Sequence, residues 1–217
     1  MNESCITVQR TARYYTFGQI NAETKLIWLA LHGYAQLACE FLEYFTPIAG
    51  LDTFIVAPEA LNRFYVKGFT GKVGATWMTK EAREKDITDN IYYLNSLTEK
   101  LAFKELQLNK KIVTFGFSQG VATLTRWLLH ANFCPDVLIL YGGDIAAELY
   151  EKPVADFFLK AKCYICYGIN DPFINDTIIE RLHNYFKNIR VTWMKFDGGH
   201  EIKSDVIKEI KANHLKD

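Results

Sequence analysis

Residues 111–131 read KIVTFGFSQGVATLTRWLLHA. The first seven are an apolar, β-branched run of the kind that forms a strand buried on both faces. From Gln119 onward the apolar spacing becomes helical. Between the two stands Ser118, one of only four serines in the chain, with Gly116 and Gly120 on either side. G-x-S-x-G where a strand gives way to a helix is the pattern of a nucleophile elbow. A tight turn there exposes the hydroxyl, and the flanking positions must be small because strand and helix pass close together. The free N–H groups of the following helix, beginning with that of Gln119, face any negative charge that develops beside the serine. A chance glycine pair is the plain alternative, and the strand before and helix after weigh against it.

A serine nucleophile needs a base, normally a histidine oriented by a carboxylate. His130 and His183 fall within helical stretches and His214 near the C-terminus. His200 closes FDGGH just beyond the last strand, on a glycine-hinged loop. In the order serine, acid, histidine, the acid should follow an intervening strand. Asp171 in YGINDPF is the better placed, and Asp144 in YGGD, one strand earlier, is its rival. A second oxyanion donor belongs after an early strand, where LHGYAQ (31–36) stands. There Gly33 allows a close turn and the N–H of Tyr34 is the candidate, while His32 is read as a buttress of that loop.

The rest of the chain alternates strand-like and helix-like segments. Strands are expected at Thr7–Thr16, Lys25–Leu31, Thr53–Ala57, Lys111–Phe117, Val137–Tyr141, Lys162–Tyr167 and Val191–Phe196. Helices are expected at Ala38–Ala49, Gln119–Ala131, Ala146–Leu159, Asp176–Lys187 and Ser204–Leu215. Another, capped by Thr79, carries Ile87, Ile91, Leu94, Leu97 and Leu101 on one face. Such alternation implies a mostly parallel sheet with helices on both faces, in one domain spanning residues 1–217. Leu61–Trp77 fits neither period and reads as an ordered loop. Its aromatic residues Phe64, Phe69 and Trp77, with Met78, are candidates for a wall against an acyl chain.

Composition narrows the partners. In 217 residues, Lys plus Arg number 25 and Asp plus Glu number 25, for a formal net charge of zero, with 49% hydrophobic residues. That balance argues against nucleic acid as the main partner. The longest apolar run, Leu26–Leu31, is too short to span a bilayer, so stable membrane insertion is not expected. The first ten residues lack the marks of a signal peptide, and a cytoplasmic location is expected. Cys163 and Cys166 form a C-x-x-C, but on a strand residues three apart point to opposite faces, which does not suit a metal or redox pair. No metal or other cofactor is expected.

Together, LHGY (31–34), APE (57–59), GFSQG (116–120), YGINDPF (167–173) and GGH (198–200) resemble the α/β-hydrolase superfamily. The nearest branch is the phospholipase/carboxylesterase family with the acyl-protein thioesterases, Gln119 after the nucleophile being the more distinctive feature. The resemblance implies an α/β-hydrolase fold with a minimal lid. It implies Ser118, Asp171 and His200 as a catalytic triad, and the backbone of Tyr34 and Gln119 as the oxyanion hole. The expected activity is hydrolysis of small-molecule carboxylic esters with small to medium acyl groups. Thioesterase or lysophospholipase-type activity is the alternative, and a non-catalytic binding protein on the same fold is the alternative of another class. A homodimer is compatible with all three. The stretch 61–77 departs from the thioesterase version, so protein depalmitoylation is not carried over.

Overall fold

Six consecutive apolar residues, LIWLAL, form β2 (Leu26–Leu31), and all six are buried. Successive side chains of a strand point to opposite faces, and this strand feeds two separate cores accordingly. Ile27, Leu29 and Leu31 join one cluster, and Leu26, Trp28 and Ala30 the other. The computed structural model, which describes residues 1–215, repeats this pattern along a seven-stranded sheet.

In chain order, β1 (Tyr14–Phe17) and β2 precede α1 (Ala38–Leu42), which tightens into a 3₁₀ turn over Glu43–Ile48. There follow β3 (Thr53–Pro58), β4 (Asn62–Tyr65), β5 (Val73–Thr76), α2 (Arg83–Lys100), α3 (Phe103–Leu106), β6 (Lys111–Phe117) and α4 (Gln119–Trp127). The second half contains β7 (Val137–Tyr141), a 3₁₀ turn at Ala147–Leu149, α5 (Asp156–Lys160), β8 (Lys162–Gly168), α6 (Asp176–Tyr185), β9 (Val191–Phe196) and α7 (Ser204–Leu215). The sheet order is β1-β3-β2-β6-β7-β8-β9. Only the β1–β3 pairing is antiparallel in it. Residues of α1 and α7 (Phe41, Ile207, Ile210) pack on one face. Residues of α2, α4, α5 and α6 (Leu94, Leu124, Phe158, Leu182) pack on the other. The mostly parallel sheet with helices on both faces is therefore as expected. Cys163 and Cys166 fall in opposite cores, so their thiols diverge, and burial pushes that of Cys163 up to about 12.

Several element boundaries differ from expectation for identifiable reasons. Leu61–Trp77 is not a loop: β4 and β5 pair as an antiparallel hairpin, from Asn62 opposite Thr76 to Tyr65 opposite Val73. The first strand is only Tyr14–Phe17, the four residues that pair with positions 55–58 of β3. The helix expected at Ala146–Leu159 is broken into a 3₁₀ turn and α5, with Pro153 between them removing a donor and pushing its predecessor away from helical angles. Pro47 likewise falls where α1 would have continued. Thr79 does not cap α2. Its hydroxyl accepts from Glu81 N–H at 3.2 Å, and the helix starts later, after Ala82. No helix among the described residues is long and apolar enough to cross a membrane.

Candidate active site

β6 ends at Phe117 and α4 begins at Gln119, leaving Ser118 alone to make the turn. It does so at φ 53° and ψ −119°, a region that residues with a side chain rarely occupy. The glycines explain why the turn closes. A Cβ on Gly116 would sit 2.8 Å from the carbonyl oxygen of Gly120, and one on Gly120 would collide with the carbonyl oxygen of Leu31. The serine hydroxyl therefore stands at the carboxyl edge of the sheet, at the N-terminus of α4.

Two further loops leave the same edge. The loop after β8 carries Asp171 and the loop after β9 carries His200. They are tied together by Ile169 N–H to Phe196 O at 3.0 Å and Asn170 N–H to Gly198 O at 3.0 Å. Past the histidine, the N–H of Lys203 donates to the Tyr141 hydroxyl at 2.9 Å. The result is a continuous line. His200 Nε2 lies 2.9 Å from Ser118 Oγ, and His200 Nδ1 lies 2.8 Å from Asp171 Oδ2. Asp171 is almost fully buried, and its other oxygen accepts from Phe173 N–H at 2.9 Å. The imidazole stacks on Phe117 at 4.8 Å, while Phe173 meets it edge-on at 4.7 Å. These two rings were not singled out from the sequence, although each is next to or near a member of the line. Asp144 is elsewhere engaged, accepting from the Tyr150 hydroxyl at 2.5 Å and from Arg181.

The loop after β2 approaches from the opposite side. Ala35 N–H donates to Ala75 O at 2.9 Å and Ala75 N–H to Gln36 O at 3.1 Å, so the base of the hairpin holds this loop. The Gln36 side chain accepts from Gly33 N–H at 2.8 Å. Among the described residues, neither Tyr34 N–H nor Gln119 N–H has a hydrogen-bond acceptor. The Gln119 side chain fastens the hairpin to the elbow, accepting from Trp77 N–H at 3.0 Å and donating to Met78 O at 2.9 Å. His32 is fully buried, with Nδ1 2.7 Å from Gly33 O and Nε2 accepting from Ala60 N–H at 3.0 Å. Burial lowers its pKa to about 4. That neutral, doubly bonded ring is a buttress of the loop.

The four residues expected to form an acyl wall separate. Met78 lines a cleft of about 410 Å³ together with Ser118, Ala122, Phe173 and Ile174. Phe64 packs against Tyr34, with ring centroids 5.2 Å apart and the planes tilted by 32°. Phe69 is 93% exposed near the hairpin tip. Trp77 is fully buried, 5.1 Å from the His32 ring, and its indole N–H donates to His32 O at 2.9 Å. Trp77 is thus core and is withdrawn from the wall. A larger open groove of about 650 Å³ along Tyr150, Arg181 and Tyr185 shares no lining residue with the cleft. Among the described residues no group of three His, Cys, Asp or Glu side chains is arranged to hold a metal ion.

No family model matches the chain, and no curated protein is similar to it in sequence. Solved structures are similar in fold. The carboxylesterase of Bacillus cereus superposes with a TM-score of 0.68 at 16% identity over 94% of each chain. Zea mays acyl-protein thioesterase 2 gives 0.68 at 15% identity, over 94% of this chain and 99% of that one. The protein Atu2452 of Agrobacterium tumefaciens, of unknown function, gives 0.65 at 16% identity, over 93% and 95%.

Proposed function

We propose that this chain, which has the α/β-hydrolase fold, is a serine hydrolase of carboxylic esters with short to medium acyl groups. One observation carries the proposal: the hydrogen-bonded line from Ser118 through His200 to Asp171. Asp171 holds the imidazole with Nδ1–H toward itself, leaving Nε2 to take the serine proton. Oγ then attacks the acyl carbon, and the backbone N–H groups of Tyr34 and Gln119 receive the charge on the carbonyl oxygen. His200 returns the proton to the leaving alkoxide, and the C–O bond to the alcohol breaks. Water, deprotonated by the same ring, attacks the acyl-enzyme, and the acid departs as the serine recovers its proton. Net, one ester and one water give one acid and one alcohol. The esterase and thioesterase named among the structures of similar fold support the reaction class.

A fluorophosphonate probe tests this. It should label Ser118 stoichiometrically, and Ser118→Ala should lose both the label and ester turnover down to a residue on the order of 10³–10⁴ over water. Labelling that persists in Ser118→Ala would overturn the assignment.

A further inference from the structure

The cleft beside Ser118 is not uniformly apolar, since Arg83 and Arg126 line it along with Met78, Ala122 and Ile174. Ser118, Ala122 and Arg126 fall four residues apart and so share one stripe at and along α4. Helical side chains lean toward the N-terminus, and Arg126 Nη1 reaches back to Ala122 O at 3.3 Å. Its guanidinium therefore stands between one and two helical turns along the helix from the serine. The Arg126 side chain is only 7% exposed, with Nε and Nη2 committed to Glu148. Among the described residues, Nη1 otherwise meets only the sulfur of Met78, at 4.0 Å, a weak acceptor for a buried charged donor.

The charges around it do not cancel inside the cleft. Arg83 Nη2 approaches the same Glu148 at 3.7 Å, so two guanidinium groups share one partly buried carboxylate. The other partner of Arg83 is Glu84, at 2.6 Å, which is 81% exposed and well screened by water. Asp144, the acidic residue of the lining, is already countered by Arg181 and the Tyr150 hydroxyl. A surplus of positive charge thus faces an open, partly apolar cleft between one and two helical turns from the nucleophile, whose low-dielectric walls focus the attraction for an anion.

Building on the esterase function proposed above, we infer that the preferred substrates are half-esters of short dicarboxylic acids. The ester carbonyl sits at Ser118 and the free carboxylate docks on Arg83, with Arg126 behind it. Hydrolysis then releases a dicarboxylate and an alcohol. Arg83 is the specificity-determining residue, since its planar donor fork matches a carboxylate and its Glu84 partner is easily displaced.

Monomethyl adipate and methyl hexanoate present similar chains with and without the distal charge. The wild type should favour the half-ester by tenfold or more in kcat/KM, and added salt should shrink that preference. Arg83→Gln should bring the ratio toward one, with Arg83→Lys retaining part of it. In parallel, adipate should slow fluorophosphonate labelling of Ser118 more than hexanoate does, a readout that needs no turnover. A wild-type ratio at or below one with methyl hexanoate cleaved would reject the anionic substrate and leave the esterase standing. So would an Arg83→Gln variant of lowered thermal midpoint but unchanged ratio, the mark of a purely structural ion network. If neither ester turns over, adipate protecting no better than hexanoate rejects the inference. Absence of Ser118 labelling removes the esterase on which it rests.

Discussion

At Asp171, a single carboxylate decides which way the His200 ring faces. Its buried oxygens are held by His200 Nδ1 at 2.8 Å and Phe173 N–H at 2.9 Å, a polar pocket that fixes the acceptor in place. Asp171→Asn presents an amide that favours the wrong tautomer, and kcat should fall by roughly 10⁴. Asp144→Asn, whose parent contacts Tyr150 and Arg181 instead, should cost far less. Reversed effects in steady-state kinetics would move the acid to the loop after β7. His32 makes a prediction about pH. Burial holds its folded pKa at about 4, against an ordinary value of 6.5. Between those values the unfolded chain binds a proton that the folded ring refuses, so stability rises with pH across the window and levels off above it. As pH falls from 6.5 toward 4, a few kcal/mol of stability should be lost at this site. Urea midpoints at pH 4.5 and 7 should differ more for the wild type than for His32→Gln. Equal differences would show that His32 is not the group responsible.

Among the elements, the β4–β5 hairpin has the largest consequences for the site. It pairs through Ala75 with the loop carrying Tyr34 and is clamped through Trp77 and Met78 to the Gln119 side chain. The two backbone N–H groups proposed as oxyanion donors, of Tyr34 and Gln119, therefore depend on its placement. Trp77 is the inward anchor, so Trp77→Ala should destabilise the fold by about 3–5 kcal/mol. It should lower kcat for all chain lengths alike. A urea midpoint unchanged from wild type, with loss confined to long acyl chains, would return Trp77 to the acyl wall. The aromatic content of residues 61–77 was visible in the sequence, but not which rings turn inward. Glycines obscured the strand alternation, and Trp77 finds its partner, His32, only through the tertiary fold.

For the whole molecule, the cleft is open and short. Met78, Phe173 and Ile174 supply apolar area near Ser118, while the exposed Phe69 lies outside its lining. Each buried methylene contributes about 0.8 kcal/mol until the chain outgrows the cleft. On p-nitrophenyl esters, kcat/KM should therefore peak between roughly C2 and C8. An optimum at palmitoyl would reject the short cleft. The chemistry assigned to Ser118, His200 and Asp171 is complete without a metal, so EDTA should leave the rate unchanged. A loss restored by zinc or manganese would count against it.

Features that depend on near neighbours in the chain were determined by the sequence alone. Apolar runs such as LIWLAL and KIVTFGF predict buried strands, and the change of period on either side of Ser118 places the elbow. The alternation of strands and helices sets where each loop emerges, and leaves both Asp144 and Asp171 open as the acid between Ser118 and His200. Pro47 and Pro153 are the local signals that end helices within 38–49 and 146–159, where apolar spacing alone predicts continuous ones. Tertiary structure decided the matters that turn on side chains meeting across the sheet edge. It brought His200 to Asp171 and engaged Asp144 with Tyr150 and Arg181. It turned Trp77 into the core, and it set Arg83, from α2, beside Arg126 and Ser118. The physical reason is that period and propensity act over one or two turns of chain. The partner of a buried polar or aromatic side chain is selected by how distant loops pack, and local spacing carries no record of it.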